Sequence, residues 1–301
     1  MKKTAAFLIL FILAKNILIG QGCSDAGICT LDALKPNTSQ AVSPEKNQIK
    51  MGLSYGAADH SITVLGQYLE YNRQLTGKWG LDVKTTALSQ RGNDISAFGM
   101  SDLFVNTHFA VNRAAKLTLG VKVPLADGNR IADGRPLPMD YQSSLGTLDL
   151  IAGITWEIRR FQLVAALQQP LSQNQNTFFA EDYPVGSPLQ SIASTNGFQR
   201  SGDVLLRVAY PFHIGQKLNI TPGILPIYHL ANDTYTAKNG AETAIEGSKG
   251  LTVNGNVYVD YAINDSNALQ LNVGMPFVVR AARPDGLTRA YIANFEYRIR
   301  F

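Results

Sequence analysis

Four histidines and two cysteines carry the most obvious chemical capacity in this 301-residue chain. His60, His108, His213 and His229 lie far apart in sequence, and no nucleotide-binding loop, zinc spacing or nucleophile elbow surrounds any of them. A hydrolase built into a strand wall needs a histidine facing the same way as a serine on the next strand, with a polar group to orient the ring. The segments around His108 offer no serine at matching depth, so His108 reads as a polar interior residue. Cys23 and Cys29 sit close together in Gly-Cys-Ser-Asp-Ala-Gly-Ile-Cys. Two near thiols in an exported chain read as a small disulfide loop. Two sulfurs without a nearby histidine are too few for a metal site, so neither metal nor cofactor is expected. Gly20-Gln21-Gly22 before Cys23 is a poor lipoprotein cleavage box.

Charged side chains form the second candidate set. Under strand periodicity Lys84, Asp102, Asn106, His108, Lys122, Asp149, Asp203, Arg207, Asp260, Arg280, Glu296 and Arg298 all fall on the polar face and become candidate lumen-lining residues. Both signs are present in similar number. Two readings stay open: charges that pair across a mostly closed interior, or a ladder of sites for a permeating solute. With no single-sign field, neither anions nor cations are singled out.

The elements that would position these residues are strands. Met1-Lys2-Lys3 followed by the apolar run Ala5–Ala14 reads as a secretory signal over residues 1–20, too short to span a bilayer. Lys2, Lys3 and Lys15 lie in it, so the remaining 24 Lys and Arg against 23 Asp and Glu leave a net charge of +1. That balance gives no reason to invoke nucleic acid. Past the leader no run of eighteen apolar residues occurs, which excludes transmembrane helices there. Residues 21–46, polar with two prolines between Leu34 and Lys46, read as an irregular periplasmic segment or a short plug.

From residue 47 to 301 the chain divides into twelve segments of alternating polarity: Ile49–Ala57, Ser61–Arg73, Trp79–Ser89, Met100–Val111, Lys116–Leu125, Leu145–Ile158, Phe161–Leu171, Gly202–Phe212, Lys217–Leu230, Leu251–Ile263, Ala268–Arg280 and Leu287–Phe301. A period of two describes strands with one apolar and one polar face. The second is ambiguous in parity around Gly66, and Pro222 and Pro226 should kink or locally unpair the ninth. Connections alternate between tight turns and a mostly long set, Gln90–Gly99, Ala126–Ser144, Ser172–Ser201 and Ala231–Gly250, as in outer-membrane barrels with periplasmic turns and extracellular loops. The last segment places Tyr291, Phe295, Tyr297 and Phe301 on one face and Glu296, Arg298 and Arg300 on the other. A bare terminal aromatic edge invites aggregation, whereas a barrel closes it on its first strand. The expected fold is therefore all-β: a closed antiparallel transmembrane barrel of about twelve strands.

Tyr297 and Phe301 resemble the C-terminal assembly signal of bacterial outer-membrane barrels. The strand-to-loop passage Leu119-Gly120-Val121-Lys122-Val123-Pro124-Leu125-Ala126-Asp127-Gly128 resembles the outer-membrane "meta-pathway of phenol degradation" family of transporters. The Gly-Cys-Ser-Asp-Ala-Gly start together with the aromatic end resembles outer-membrane proteins of Bacteroidetes-type bacteria. These resemblances imply a non-enzymatic channel for passive uptake of small molecules, hydrophobic or aromatic ones included, whose partners are outer-membrane lipids and the barrel-assembly machinery. A closed structural or adhesion barrel acting through its extracellular loops is the alternative, and a barrel-embedded lipid hydrolase a third reading.

Overall fold

The computed structural model describes residues 27–36, 46–286 and 290–301. The expected leader, Cys23 and the start of the twelfth segment lie outside these residues. Twelve antiparallel strands close into one barrel. They are β1 (Asn47–Ala57), β2 (Thr63–Gln74), β3 (Trp79–Gly92), β4 (Ile95–Ala110), β5 (Ala115–Pro124) and β6 (Asp149–Ile158), then β7 (Phe161–Pro170), β8 (Asp203–Ala209, resumed at Phe212–Ile214), β9 (Leu218–His229), β10 (Gly250–Ala262), β11 (Asn267–Val278) and β12 (Tyr291–Arg300). Each strand pairs with its sequence neighbours, and β12 pairs with β1 from Gln48↔Arg300 to Ala57↔Tyr291. Asn47 and Phe301 exchange both backbone hydrogen bonds, at 3.2 and 3.0 Å. No strand edge is left open around the ring, which a chain surrounded by hydrocarbon requires.

The period-two pattern sorts the wall. Leu53, Leu69, Leu119, Leu206, Leu271 and Phe295 project outward and are exposed. Lys50, Glu70, Lys84, Asn106, Lys122, Asn254 and Glu296 project inward and are buried. Val64, Tyr68, Glu70 and Asn72 are the inward set of β2, which resolves the parity around Gly66. Leu271 stands between Val259 of β10 and Phe295 of β12 on the outer face. Leu271→Arg is expected to cost about 2–4 kcal/mol of folding into vesicles, read from a urea titration. No penalty would mean that this face does not meet lipid.

One expectation needs correction, and another holds on one side of its strand only. The stretch Gln90–Gly99 is not a long loop but the tip of a hairpin, because Asn93 (φ 51°) and Asp94 (φ 60°) both take the left-handed backbone that a two-residue turn needs. Asparagine and aspartate tolerate that conformation better than most residues. Pro222 and Pro226 leave β9 in unbroken register with β10 from Leu218↔Tyr261 to His229↔Gly250. Register with β8 lapses opposite Leu225 and Pro226 and again opposite Thr221 and Pro222, so the expected local unpairing occurs on that side alone. A proline removes one donor, so pairing is lost on the side that donor would have served.

One end of the barrel carries short turns. At the other, chain segments 125–148, 171–202 and 230–249 fold over the mouth around two small apolar cores. Tyr141 and Phe178 anchor the first, Met139 and Phe198 the second. Inside the barrel lies residue stretch 27–36, as two single 3-10 turns, Ile28–Thr30 and Asp32–Leu34. The segment expected as periplasmic chain or plug thus occupies the lumen over this stretch.

Candidate functional site: the filled lumen

The seat of the luminal segment is apolar. Ile28, Cys29, Leu31 and Leu34 pack against Phe104, Ile151, Val164, Ala166, Leu205, Leu225 and Ile227. These wall residues stand at inward positions on β4 and β6 through β9, where a water-filled barrel would carry polar side chains. Burying one such apolar side chain contributes about 1.5–3 kcal/mol.

Charged wall residues hold the segment's backbone and its two ions. Arg207 donates to the carbonyls of Cys29, at 2.9 Å, and Leu34. The Lys84 ammonium donates to Thr30 O at 3.1 Å and Thr30 Oγ1 at 2.8 Å, and lies 4.3 Å from the Tyr68 ring centre. Thr155 Oγ1 donates to Ala33 O at 3.0 Å. Asp32 pairs with Lys50, and Lys35 Nζ lies 3.0 Å from Glu296 Oε2. A 3-10 turn leaves carbonyls without internal partners, so cations on the wall satisfy groups that would otherwise be costly to bury.

Glu296 is the hub of this ring. It accepts from Lys35, Tyr68 Oη and Arg298 Nε. Arg298 Nη1 continues to Asp260 Oδ1 at 3.0 Å, which also accepts from Gln270 at 2.7 Å. The Tyr68 ring reaches the hub by crossing Gly52, where an added Cβ would stand 2.1 Å from ring carbons. Glycine is required there by close approach.

The other expected lumen residues fall into separate groups. Lys122 Nζ pairs with Asp149 at 3.0 Å and donates to Thr147 at 2.9 Å, with Asp102 4.0 Å away. Asp102 accepts from Ser101 at 2.8 Å and Ser144 at 2.7 Å, which ties β4 to the loop cap. His108 Nδ1 lies 3.3 Å from Asp82 Oδ2, and its cross-strand neighbours are Gly80 and Thr118. Asn106 lies beside it over Gly120. Asp203 stands at the cap, paired with Arg200 and 2.7 Å from His229 Nδ1, while His229 Nε2 lies 2.7 Å from Asp233. Arg280 is not on the lumen wall. It lies past the end of β11 and donates to Ser248 O at 2.8 Å and Asp285 at 3.0 Å, because the chain turns into the cap after Val278.

Cys29 is buried in the seat, and its expected partner Cys23 lies outside the described residues. Tyr297 donates to Asn267 at 2.6 Å, and Phe301 ends the outer face of β12. Sequence reading passed over Asp32, Lys35, Tyr68, Glu70 and the apolar seat. The signal for the seat was available: apolar residues on both faces of β6 through β9 mean that something apolar lies within.

Between the luminal segment and the cap remains a cavity of about 110 Å³. Its floor is Thr30 and Lys35, its roof Ser143 to Leu145, and Tyr68, Leu88 and Asn294 stand in its wall.

No protein-family model matches this chain, and no curated protein does. Among solved structures, an outer-membrane channel from Pseudomonas putida F1 is similar, with 14% identity and a TM-score of 0.58 over 89% of this chain and 99% of that one. The CymD monoaromatic hydrocarbon channel (9% identity, TM-score 0.46, 94% and 98% covered) shares less of the geometry. So does the translocator domain of autotransporter NalP from Neisseria meningitidis (9%, 0.48, 100% and 98%). The fold is that of outer-membrane barrels.

Proposed function

We propose that this protein is an outer-membrane channel for the passive uptake of small molecules, hydrophobic or aromatic ones included. The observation that carries the reading is the void between luminal segment and cap. Leu88, Phe104, Ile292 and the Tyr68 ring supply apolar surface, while Ser54, Asn272 and Asn294 supply hydrogen-bonding groups. Such a lining suits a molecule with an apolar body and one or two polar substituents. Movement would follow the concentration gradient. The turn end would face the periplasm and the cap the exterior.

The alternative of a closed structural or adhesion barrel has one observation in its favour: the luminal ions are already paired with one another. Solute flux decides between them. Proteoliposomes are expected to admit phenol-sized aromatic alcohols faster than protein-free vesicles, and Asn294→Trp, which fills the void, is expected to remove most of that flux. Flux equal to protein-free vesicles for every solute would overturn the channel reading.

A further inference from the structure

The short-turn end carries an arc of cations whose own turns contain no carboxylate. Three adjacent connections form it: residues 75–78, 111–114 and 159–160. Ala110 N donates to Lys78 O and Glu157 N to Ala114 O, both at 2.8 Å, so the three turns lie side by side. They contain Lys78, Arg113, Arg159 and Arg160, all exposed, and no acidic residue. Among the described residues none of these four side chains makes an ion pair or a hydrogen bond. The nearby Glu157 is on the inward parity of β6, with Asp149 and Gly153, and is exposed at the rim, without an ion pair to any of the four among the described residues. Across the barrel the β10–β11 turn carries Asp265 instead, and the Lys217 of the adjoining β8–β9 turn donates to Ile263 O at 3.2 Å.

Directly above the arc, toward the barrel's middle, is a belt of outward aromatics. Trp79 packs on Phe109 with ring centres 4.8 Å apart, Phe161 on Tyr210 at 5.1 Å, and Trp156 stands exposed between them in the wall. Lys78 Nζ lies 6.0 Å from the Phe109 ring centre. Tryptophan and tyrosine sit at the depth of lipid headgroups, so cations one step beyond them stand level with lipid phosphates. Arg159 adds a separate sign. It holds φ 58° in a two-residue turn, a left-handed position that asparagine or glycine would fill at lower cost.

We propose that this arc binds the phosphodiester headgroup of an anionic phospholipid in the leaflet at the short-turn end, with its acyl chains lying along the Trp79, Trp156 and Phe161 belt. Guanidinium groups are suited to this because they meet phosphate oxygens with two parallel hydrogen bonds. The inference needs the barrel to stand in a bilayer and is independent of whether its lumen conducts.

The test is native mass spectrometry of the detergent-solubilised protein titrated with phosphatidylglycerol or phosphatidylcholine. Wild type is expected to retain phosphatidylglycerol over phosphatidylcholine by about tenfold or more, less at high salt. The R113Q/R159Q/R160Q variant is expected to lose that preference, while Lys249→Gln, at the loop end, keeps it. Heat-modifiable gel migration reports folding of each variant. If the triple variant does not fold, R113Q/R160Q, which leaves the Arg159 turn intact, is expected to cut the preference in the same direction. Equal retention of the two lipids by wild type, an unchanged preference in a folded arc variant, or an equal loss in Lys249→Gln would each overturn the proposal.

Discussion

Replacing residues 27–36 with a glycine-serine linker of equal length is expected to turn a quiet barrel into one with a measurable ohmic conductance in planar bilayers. The native segment fills the lumen between the wall's apolar seat on one side and the Glu296 ring on the other. A flexible polar linker has no apolar side chain to bury there and stays solvated. Water then reaches the floor of the void, and the cap becomes the remaining obstacle. The same replacement removes the burial of Ile28, Leu31 and Leu34 and leaves Arg207 facing no carbonyl. At about 1.5–3 kcal/mol for each apolar side chain, the barrel is expected to lose about 5–9 kcal/mol of stability toward urea. A linker variant as silent as wild type, with an unchanged urea midpoint, would show that this segment neither closes the lumen nor supports the wall.

Glu296→Ala is expected to be the most damaging single change in the interior. It strips Lys35, Arg298 and Tyr68 of a shared acceptor at once. Removing one partner of a buried ion pair costs about 3–5 kcal/mol, because the charge left behind has no solvent to replace it. Arg298 retains Asp260, so the larger loss falls on Lys35 and hence on the anchoring of the luminal segment. A double-mutant cycle with Lys35→Met separates the two effects. The pair is expected to be less destabilised than the sum of the single variants, since the orphaned ammonium is gone. Strict additivity would place Lys35 and Glu296 in no direct energetic contact.

Both predictions rest on side chains that sequence parity placed unequally well. Glu296, Lys84, Arg207 and Arg298 were recognisable as inward residues, because in a strand every second side chain shares a face whatever it eventually touches. Their partners were not. Asp32 and Lys35 belong to a stretch with no periodicity, and nothing in residues 27–36 states that it will be threaded into the ring. Gln90–Gly99 misled for a related reason. Its Gly-Asn-Asp composition suits a loop as well as a two-residue turn, and the choice depends on whether β3 and β4 keep pairing above it. Arg280 misled because alternation continued past the point where the strand ends.

The alternation of residues 47–301 and the aromatic end determined a closed, even-stranded ring, because unsatisfied backbone groups leave a chain in hydrocarbon hardly any other solution. The filling of that ring was decided only in three dimensions. Apolar inward residues from β4 and β6 through β9 make a seat only once the barrel has curved them round a common centre, and a ten-residue stretch far from them in sequence then supplies what they bury. Such contacts join residues more than a hundred positions apart, where local patterning carries no information about which side chains will meet.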